Sequence, residues 1–340
     1  QRRAVNKGLL NLAGAALAAV CAWGQDVSTP AAAIENEHLK VVIAPATGGR
    51  VSHFVHKRSG ADLALQAAQS PYWGLLADGL WQQNFEHGDW NRAAYAVLSA
   101  DAEKAVLEGR GRLWAGVKIR KTLRLTPGRA ALDAEYEVTA AAPSPARAMG
   151  DLWIHNALPP GGRVFMPLPA GVVERPMGAE SESWGYEPSR GWVAAIKGDR
   201  GLAAAVDFSR LRAFRSSHED RTTAEWILRK AELKPGARMA TWATLAPTAE
   251  LTRVDGVSRD MAASMECGAP AGGRIPVRIA AIAFEKHDAV FAFSVRRLPQ
   301  GTAAKGPEVA RALKPDAVER LEVDLPVPEE GTYVVSCTVQ

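Results

Sequence analysis

Cysteine is scarce in this chain, with three among 340 residues, one of them Cys21 near the N-terminus. Cys267 and Cys337 alone remain further on. They are compatible with one disulfide in an oxidising compartment and incompatible with a cysteine-rich scaffold or a cysteine zinc cage. Also missing are HExxH, a GxSxG nucleophile elbow, a Walker A loop and a dinucleotide-binding glycine fingerprint, which removes the commonest metalloprotease, hydrolase and nucleotide-binding readings. No cofactor and no metal are expected. His53 and His56 stand three apart on a predicted strand and should point to opposite faces, and His218-Glu219-Asp220 reads as a charged turn. Charge of one sign is in short supply as well. The formal net charge is +4, and Arg2, Arg3 and Lys7 account for three of it, leaving +1 for the remainder. That is too little for a nucleic-acid partner.

Long apolar runs are missing past residue 24, so no integral membrane protein is expected. The N-terminus itself carries Arg2, Arg3 and Lys7, then an apolar stretch from Gly8 to Ala22 interrupted only by Asn11. This pattern reads as a secretory signal peptide over residues 1–24, placing the chain in the periplasm or outside the cell. Cys21 offers a lipoprotein alternative, against which Val20 is a poor residue at such a cleavage site.

What the chain has in abundance is short alternating runs. Val117, Ile119, Leu123 and Leu125 alternate with Lys118, Arg120, Thr122 and Arg124; after the Pro127-Gly128 turn, Leu132, Ala134, Tyr136 and Val138 alternate with Asp133, Glu135 and Glu137. One face is buried, and the opposite charges on the two polar rows favour cross-strand pairing. Further strands are expected over 93–98, 104–108, 149–156, 192–197, 202–207, 223–228 and 238–245. No long helical periodicity competes with them, so the fold class is all-β with packed antiparallel sheets. The run 255–273 reads as a polar linker, after which strands at 275–284, 289–295, 318–325 and 332–339 suggest a small immunoglobulin-like β-sandwich. Roughly 315 residues past the leader exceed one ordinary domain, and the expected division is 25–255 and 256–340.

The segment from Asn36 to Leu63, NEHLKVVIAPATGGRVSHFVHKRSGADL, sets Leu39, Val41 and Ile43 before a Pro45…Gly48-Gly49 turn, and Val51, His53 and Val55 after it. This hairpin resembles the opening of galactose mutarotase-like (aldose 1-epimerase-like) β-supersandwich domains. The resemblance implies a saccharide ligand and leaves three roles open: an epimerase, a non-catalytic recognition or accessory protein of polysaccharide processing, or a glycosidase or lyase acting through Asp78, Glu86 or Asp89. Met149-Gly-Asp-Leu-Trp-Ile-His-Asn156 resembles the mutarotase strand that carries a catalytic His into a Pro- or Gly-rich loop. On that resemblance His155 is the general acid for ring opening, and Glu225 is the best positional candidate for the base, although its neighbours depart from the family's Glu motif. The plainer alternatives are a hydrogen-bonded histidine at a strand end and a carboxylate facing solvent.

Aromatic and planar polar groups point the same way. Nine of ten tryptophans lie between Trp73 and Trp242, and Trp suits both sugar faces and sandwich cores. Trp114, Trp153, Trp226 and Trp242 fall within strands and are expected in the core. Trp81, Trp90, Trp184 and Trp192 lie in or beside loops and are the better sugar platforms. The stretch Asp78 to Trp90 concentrates Gln82, Gln83, Asn84, Glu86, His87 and Asp89, groups suited to multidentate binding of hydroxyls on a loop. The expected substrate-binding set is Trp81, Asn84, Glu86, His87, Asp89 and Arg92. Arg50 is expected to belong to the opening turn.

Overall fold

Period-two alternation leaves each strand with one apolar face to bury, and packed antiparallel sheets satisfy that demand. The computed structural model of the chain describes residues 31–65, 73–80, 90, 92–110, 116–141, 151–158, 161–177, 184–216, 223–228, 235–299, 301–327 and 330–340. Strands β1 (Ala32–Glu35), β2 (Leu39–Ala44), β3 (Arg50–His56) and β4 (Ala61–Asp62) form a four-stranded sheet in chain order. After β5 (Ala77–Leu80), a meander of β6 (Tyr95–Ala100), β7 (Lys104–Arg110), β8 (Val117–Leu125) and β9 (Leu132–Ala140) starts a nine-stranded sheet. The chain then shuttles between two sheets. It passes through β10 (Leu152–Ala157), β11 (Arg163–Leu168), β12 (Gly171–Pro176), β13 (Trp184–Tyr186), β14 (Trp192–Lys197), β15 (Arg200–Val206), β16 (Leu211–Ser216), β17 (Thr223–Leu228) and β18 (Arg238–Pro247). The nine-stranded order is β12-β11-β14-β15-β18-β9-β8-β7-β6, and a five-stranded sheet runs β13-β16-β17-β10-β5. One apolar cluster, including Val41, Leu123, Leu152, Val164 and Trp226, fills the space between these sheets.

The remaining strands are β19 (Gly256–Val257), β20 (Met261–Cys267), β21 (Arg274–Ala283), β22 (His287–Arg297), β23 (Ala303–Leu313), β24 (Val318–Pro326) and β25 (Tyr333–Val339). They make a four-stranded sheet, β19-β20-β21-β24, and a three-stranded one, β23-β22-β25, around their own core of Val277, Phe291, Phe293 and Leu325. A third cluster joins the parts: Phe165, Trp192 and Ala246 of the nine-stranded sheet pack with Leu251, Val254, Ile282 and Phe284. His56 and Asp316 bridge the same parts, with His56 Nε2 2.9 Å from each Asp316 oxygen. All strand pairings within the sheets are antiparallel.

Several expectations are corrected here. The run 255–273 is no plain linker, since it contains β20, whose small and polar residues hid its pairing with β21. Val51, His53 and Val55 do not share a face. A bulge at Ser52, where Val42 pairs with His53 but Ile43 with Val51, shifts the phase so that Phe54 and His56 turn inward. His53 and His56 do point apart: His53 is on the solvent side, bound to Asp62 at 2.7 Å, and His56 is buried. Trp90 and Trp192 are not platforms, because both are buried in core clusters where their large apolar rings gain most. Trp226 is core, as expected, whereas Trp242 lies under the Arg259 guanidinium, 4.5 Å from the ring centre. Cys267 and Cys337 are free thiols.

The β8–β9 register sets Arg120 opposite Glu137 and Arg124 opposite Asp133, in line with the charge pattern. Lys121 breaks the apolar row between Ile119 and Leu123 and is wholly buried. Its ammonium lies 2.8 Å from the equally buried Asp78 carboxylate and donates to the Gly49 and Leu76 carbonyls at 3.0 and 2.7 Å. Tyr95 donates to the same carboxylate at 2.8 Å. The Tyr95 ring needs glycine beside it, since a Cβ at Gly49 would come within 2.9 Å of it and one at Gly109 would overlap it. Burial pushes the Asp78 carboxyl above its ordinary range, against the pull of Lys121, and pushes the Lys121 ammonium below its own. Asp78 therefore works as a core ion-pair partner and not as a hydrolytic carboxylate.

Candidate functional site

Adjacent antiparallel strands bring side chains from distant sequence positions onto one face when their Cα atoms are partners. On the five-stranded sheet, Ala77, His155, Glu225, Arg215 and Gly185 stand in one row across β5, β10, β17, β16 and β13. Gly79, Trp153, Ile227 and Ala213 form the next row on the same face. The intervening residues Leu152, Ile154, Trp226, Leu228 and Phe214 point the other way, into the main core. Alternation along β10 and β17 thus separates a core face from a functional-type face holding one histidine, one carboxylate, one guanidinium and one indole.

His155 and Glu225 are 3% and 4% exposed, so their contact is shielded from water. His155 Nδ1 lies 3.5 Å from Glu225 Oε1, and the Thr223 hydroxyl donates to that same oxygen at 2.7 Å. Burial pushes the Glu225 carboxyl up, but hydrogen bonding and the charges of His155 and Arg215 outweigh it and hold the group below its ordinary 4.5. Glu225 is therefore an anion at neutral pH. The Trp153 ring lies 5.9 Å from the His155 ring at 36°, and the Arg215 guanidinium sits 5.3 Å over the Trp153 ring. Trp153 and Ile227, with Ala213 against them, make a small apolar patch separate from the main core. Asn156 braces β10 from behind, accepting from the Leu76 N–H at 3.0 Å and donating to the Ala224 carbonyl at 3.0 Å.

This geometry changes what was expected of the pair. Glu225 does not face solvent, and it does not stand across a sugar ring from His155. At 3.5 Å the two touch, so an acid and a base on opposite sides of a ring cannot both come from them. They form a buried histidine–carboxylate pair at ion-pair distance, a contact that restrains the imidazole beside an anionic group. Arg92 is exposed. Trp81, Asn84, Glu86, His87 and Asp89 lie outside the described residues, as do Trp114, Gln82, Gln83 and the turn 218–220. Arg50 belongs to the opening turn, donating to the Thr47 and Trp73 carbonyls at 2.7 and 2.9 Å.

Arg215 and Thr223 were not read as site residues from the sequence. Arg215 sits on β16, in Leu-Arg-Ala-Phe-Arg-Ser, where a bulge between Leu211 and Ala213 breaks the alternation, so no simple period in the sequence marks the face of Arg215. Trp153 was expected in the core. It is buried, but on the face of His155. A groove of about 590 Å³ opens elsewhere, lined by Leu63, Leu158, Met177, Ile196 and Leu202 with Lys197 and Arg200 among its polar residues, and contains none of the dyad. Among the described residues, no cluster of three His, Cys, Asp or Glu side chains is placed to hold a metal ion, and no described helix is long and apolar enough to cross a membrane.

No protein-family model and no curated protein matches the sequence. Solved structures do resemble it. A protein of Escherichia coli K12 provisionally assigned as an aldose 1-epimerase matches 65% of this chain and 99% of its own at 12% identity, with a TM-score of 0.51. A galactose mutarotase related enzyme from Lactobacillus acidophilus matches 65% of this chain and 98% of its own at 14% identity and a TM-score of 0.47. A galactose mutarotase-like protein from Clostridium acetobutylicum covers 62% and 93%, at 10% identity and 0.43. About two thirds of this chain therefore has the galactose mutarotase-like fold.

Proposed function

We propose that this chain is a carbohydrate-recognition protein whose sugar-binding face is the side of the five-stranded sheet turned away from the main core, centred on His155. The observation that carries the reading is the dyad itself. Unlike the His56–Asp316 pair at the junction, this pair stands in a row with Arg215 and beside Trp153 on a sheet face turned away from the main core, which supports polar work on that face. The indole offers an apolar surface to C–H groups, and the imidazole, guanidinium and carboxylate offer directional bonds to hydroxyls. The mutarotase-like fold supports the ligand class without deciding the reaction. In the recognition role His155 is a hydrogen-bonding group held beside Glu225. The leader-like residues 1–24 support a secreted or periplasmic location.

A second reading, aldose epimerisation, is favoured by the same dyad, because an oriented imidazole is suited to moving a proton at the anomeric hydroxyl or ring oxygen. It requires a second proton-transfer group across the ring from His155. The experiment is a saccharide-array screen of the protein, followed on each hit by polarimetric mutarotation with wild type and His155→Ala. Binding lost in His155→Ala without any acceleration of mutarotation is the expected result. Acceleration that disappears in the variant would make the protein an epimerase, and no binding to any saccharide would refute the carbohydrate reading.

A further inference from the structure

Period-two alternation carries through to the end of a strand, so a charged side chain at the last inward position stands at the mouth of the core and not on the wet face. The hairpin of β14 and β15 ends two apolar rows in this way. On β14, Val193 and Ala195 lie in the main core and Lys197 follows in phase; on β15, Arg200 precedes Leu202, Ala204 and Val206 of the same core. Ile196 and Ala203 belong to the third cluster, on the other face. The register pairs Lys197 directly with Arg200 across the Gly198-Asp199 turn. Two cations are thus neighbours on the core-facing side, a cross-strand arrangement that destabilises a sheet unless negative charge lies between them.

Both cations line the groove of about 590 Å³, a volume within the range of small-molecule sites. Leu63, Leu158, Met177, Ala195 and Leu202 also line it, and all five belong to the main core. The groove is therefore an uncovered end of that core. Neither of its carboxylates is closely paired with the two cations. Asp62 is engaged by His53 at 2.7 Å and by the Phe54 and Ala64 N–H groups at 3.0 and 3.1 Å. Asp199 is 76% exposed and comes only within 3.8 Å of Arg200 Nε. Lys197 has no ion-pair partner among the described residues. Its ammonium stands beside Gly161, where the neighbouring Gly162 enters the groove lining.

We propose that this groove binds a straight-chain alkyl carboxylate, with the chain on the five apolar side chains and the carboxylate between the Lys197 ammonium and the Arg200 guanidinium. The site contains no residue of the His155 face and does not rest on the carbohydrate reading. The planar guanidinium and the compact ammonium both suit a carboxylate, whose two oxygens accept a charge-assisted bond from each. A neutral alcohol of the same length keeps the apolar contact and forfeits the charge. A saccharide would set its hydroxyls against apolar side chains that return no hydrogen bond. Binding of the anion also relieves the repulsion within the hairpin, so the ligand stabilises the folded chain.

Lys197 and Arg200 are exposed, so their substitution leaves the fold intact. The test is isothermal titration calorimetry of the full chain with hexanoate, octanoate and decanoate below their micelle concentrations, and with 1-octanol and octylammonium. Affinity is expected to rise with chain length, by up to about fourfold per buried methylene. Octanoate should bind about tenfold or more tightly than 1-octanol, and octylammonium should not bind. Lys197→Gln and Arg200→Gln should each weaken octanoate about fivefold or more and leave 1-octanol unchanged, while Lys197→Arg keeps the affinity. In the unliganded protein Lys197→Gln should not lower the thermal midpoint, because it removes a like-charge contact. Failure of decanoate to bind overturns the proposal, as does 1-octanol binding as tightly as octanoate. Octanoate binding indifferent to both glutamine variants would place the ligand elsewhere and overturns it too. So does a lowered midpoint in unliganded Lys197→Gln, which would mean that the ammonium already serves the fold.

Discussion

Replacing Lys121 by Met tests the buried ion pair, because Met keeps the stem's volume and deletes only the ammonium. The structure sets the magnitude. Lys121 and Asp78 are both 0% exposed, so Lys121→Met strands a carboxylate in the core with Tyr95 as its remaining close donor, at 2.8 Å, and removes the donor that serves the Gly49 and Leu76 carbonyls. Breaking such a pair from one side costs about 3–5 kcal/mol. That is a large share of the ~5–15 kcal/mol by which a domain is usually stable. Thermal unfolding followed by near-ultraviolet circular dichroism should show a drop of roughly 6–20 °C, with urea unfolding giving the free energy at fixed temperature. The pH dependence separates this cause from simple loss of packing. With Lys121 gone, the folded-state pKa of Asp78 lies further above the unfolded one, since burial already raises it and the lowering charge is removed. The folded state then binds more protons than the unfolded state between those two values. Stability of the variant must therefore fall as pH rises through that window, and its deficit must shrink toward acid pH. Asp78→Asn added to Lys121→Met keeps an acceptor for Tyr95 and removes the stranded charge, so the double variant should regain about 1–3 kcal/mol over Lys121→Met. A cost under about 1 kcal/mol, a pH-independent deficit, or a double variant as unstable as the two single losses added together would refute the argument.

Two further predictions concern the site and the junction between the parts of the chain. Glu225 is held below its ordinary 4.5 in the folded state, so its contribution is complete at neutral pH and is lost as pH falls below that value through the folded-state pKa. Glu225→Gln should cost on the order of 1–3 kcal/mol at neutral pH and unfold with a shallower acid limb than wild type. Equal acid limbs in chemical-denaturation curves would show that the carboxylate is not stabilised there. His56→Ala removes a buried imidazole that contacts both Asp316 oxygens at 2.9 Å and Ser59 Oγ at 2.8 Å, leaving the Arg58 guanidinium at 3.3 Å and the His38 ring at 4.0 Å beside Asp316. A loss of about 1.5–3 kcal/mol is expected, with faster amide exchange at the turn carrying Asp316. Unchanged exchange there would mean that packing of Phe284, Leu251 and their neighbours holds the junction without the His56–Asp316 contact.

What the sequence made legible, and what it hid, divides along the range of the interactions. Alternation is local, so the β8–β9 pair and its charge-matched register follow from the residues and from the Pro127-Gly128 turn. A single bulge is enough to defeat the same rule. Ser52 adds one residue to β3, and every side chain after it changes face, which is why His56 rather than His53 is buried. Lys121 escaped for a related reason, since a charged residue in an apolar row looks like an interruption until its partner is known, and Asp78 lies 43 positions earlier on a strand of another sheet. The site shows the limit most sharply. His155 was visible as a histidine closing an apolar strand before Pro and Gly, but nothing local says that β10 and β17 are neighbours. Only that adjacency sets His155 opposite Glu225 and brings Arg215 into the same row. It also bears on the chemistry, because at 3.5 Å the two residues leave no room for a sugar ring between them. Any second proton-transfer group must therefore come from a segment other than β17, and substitution of Glu86 and Asp89, scored by mutarotation on a sugar that binds, separates an epimerase from a recognition face.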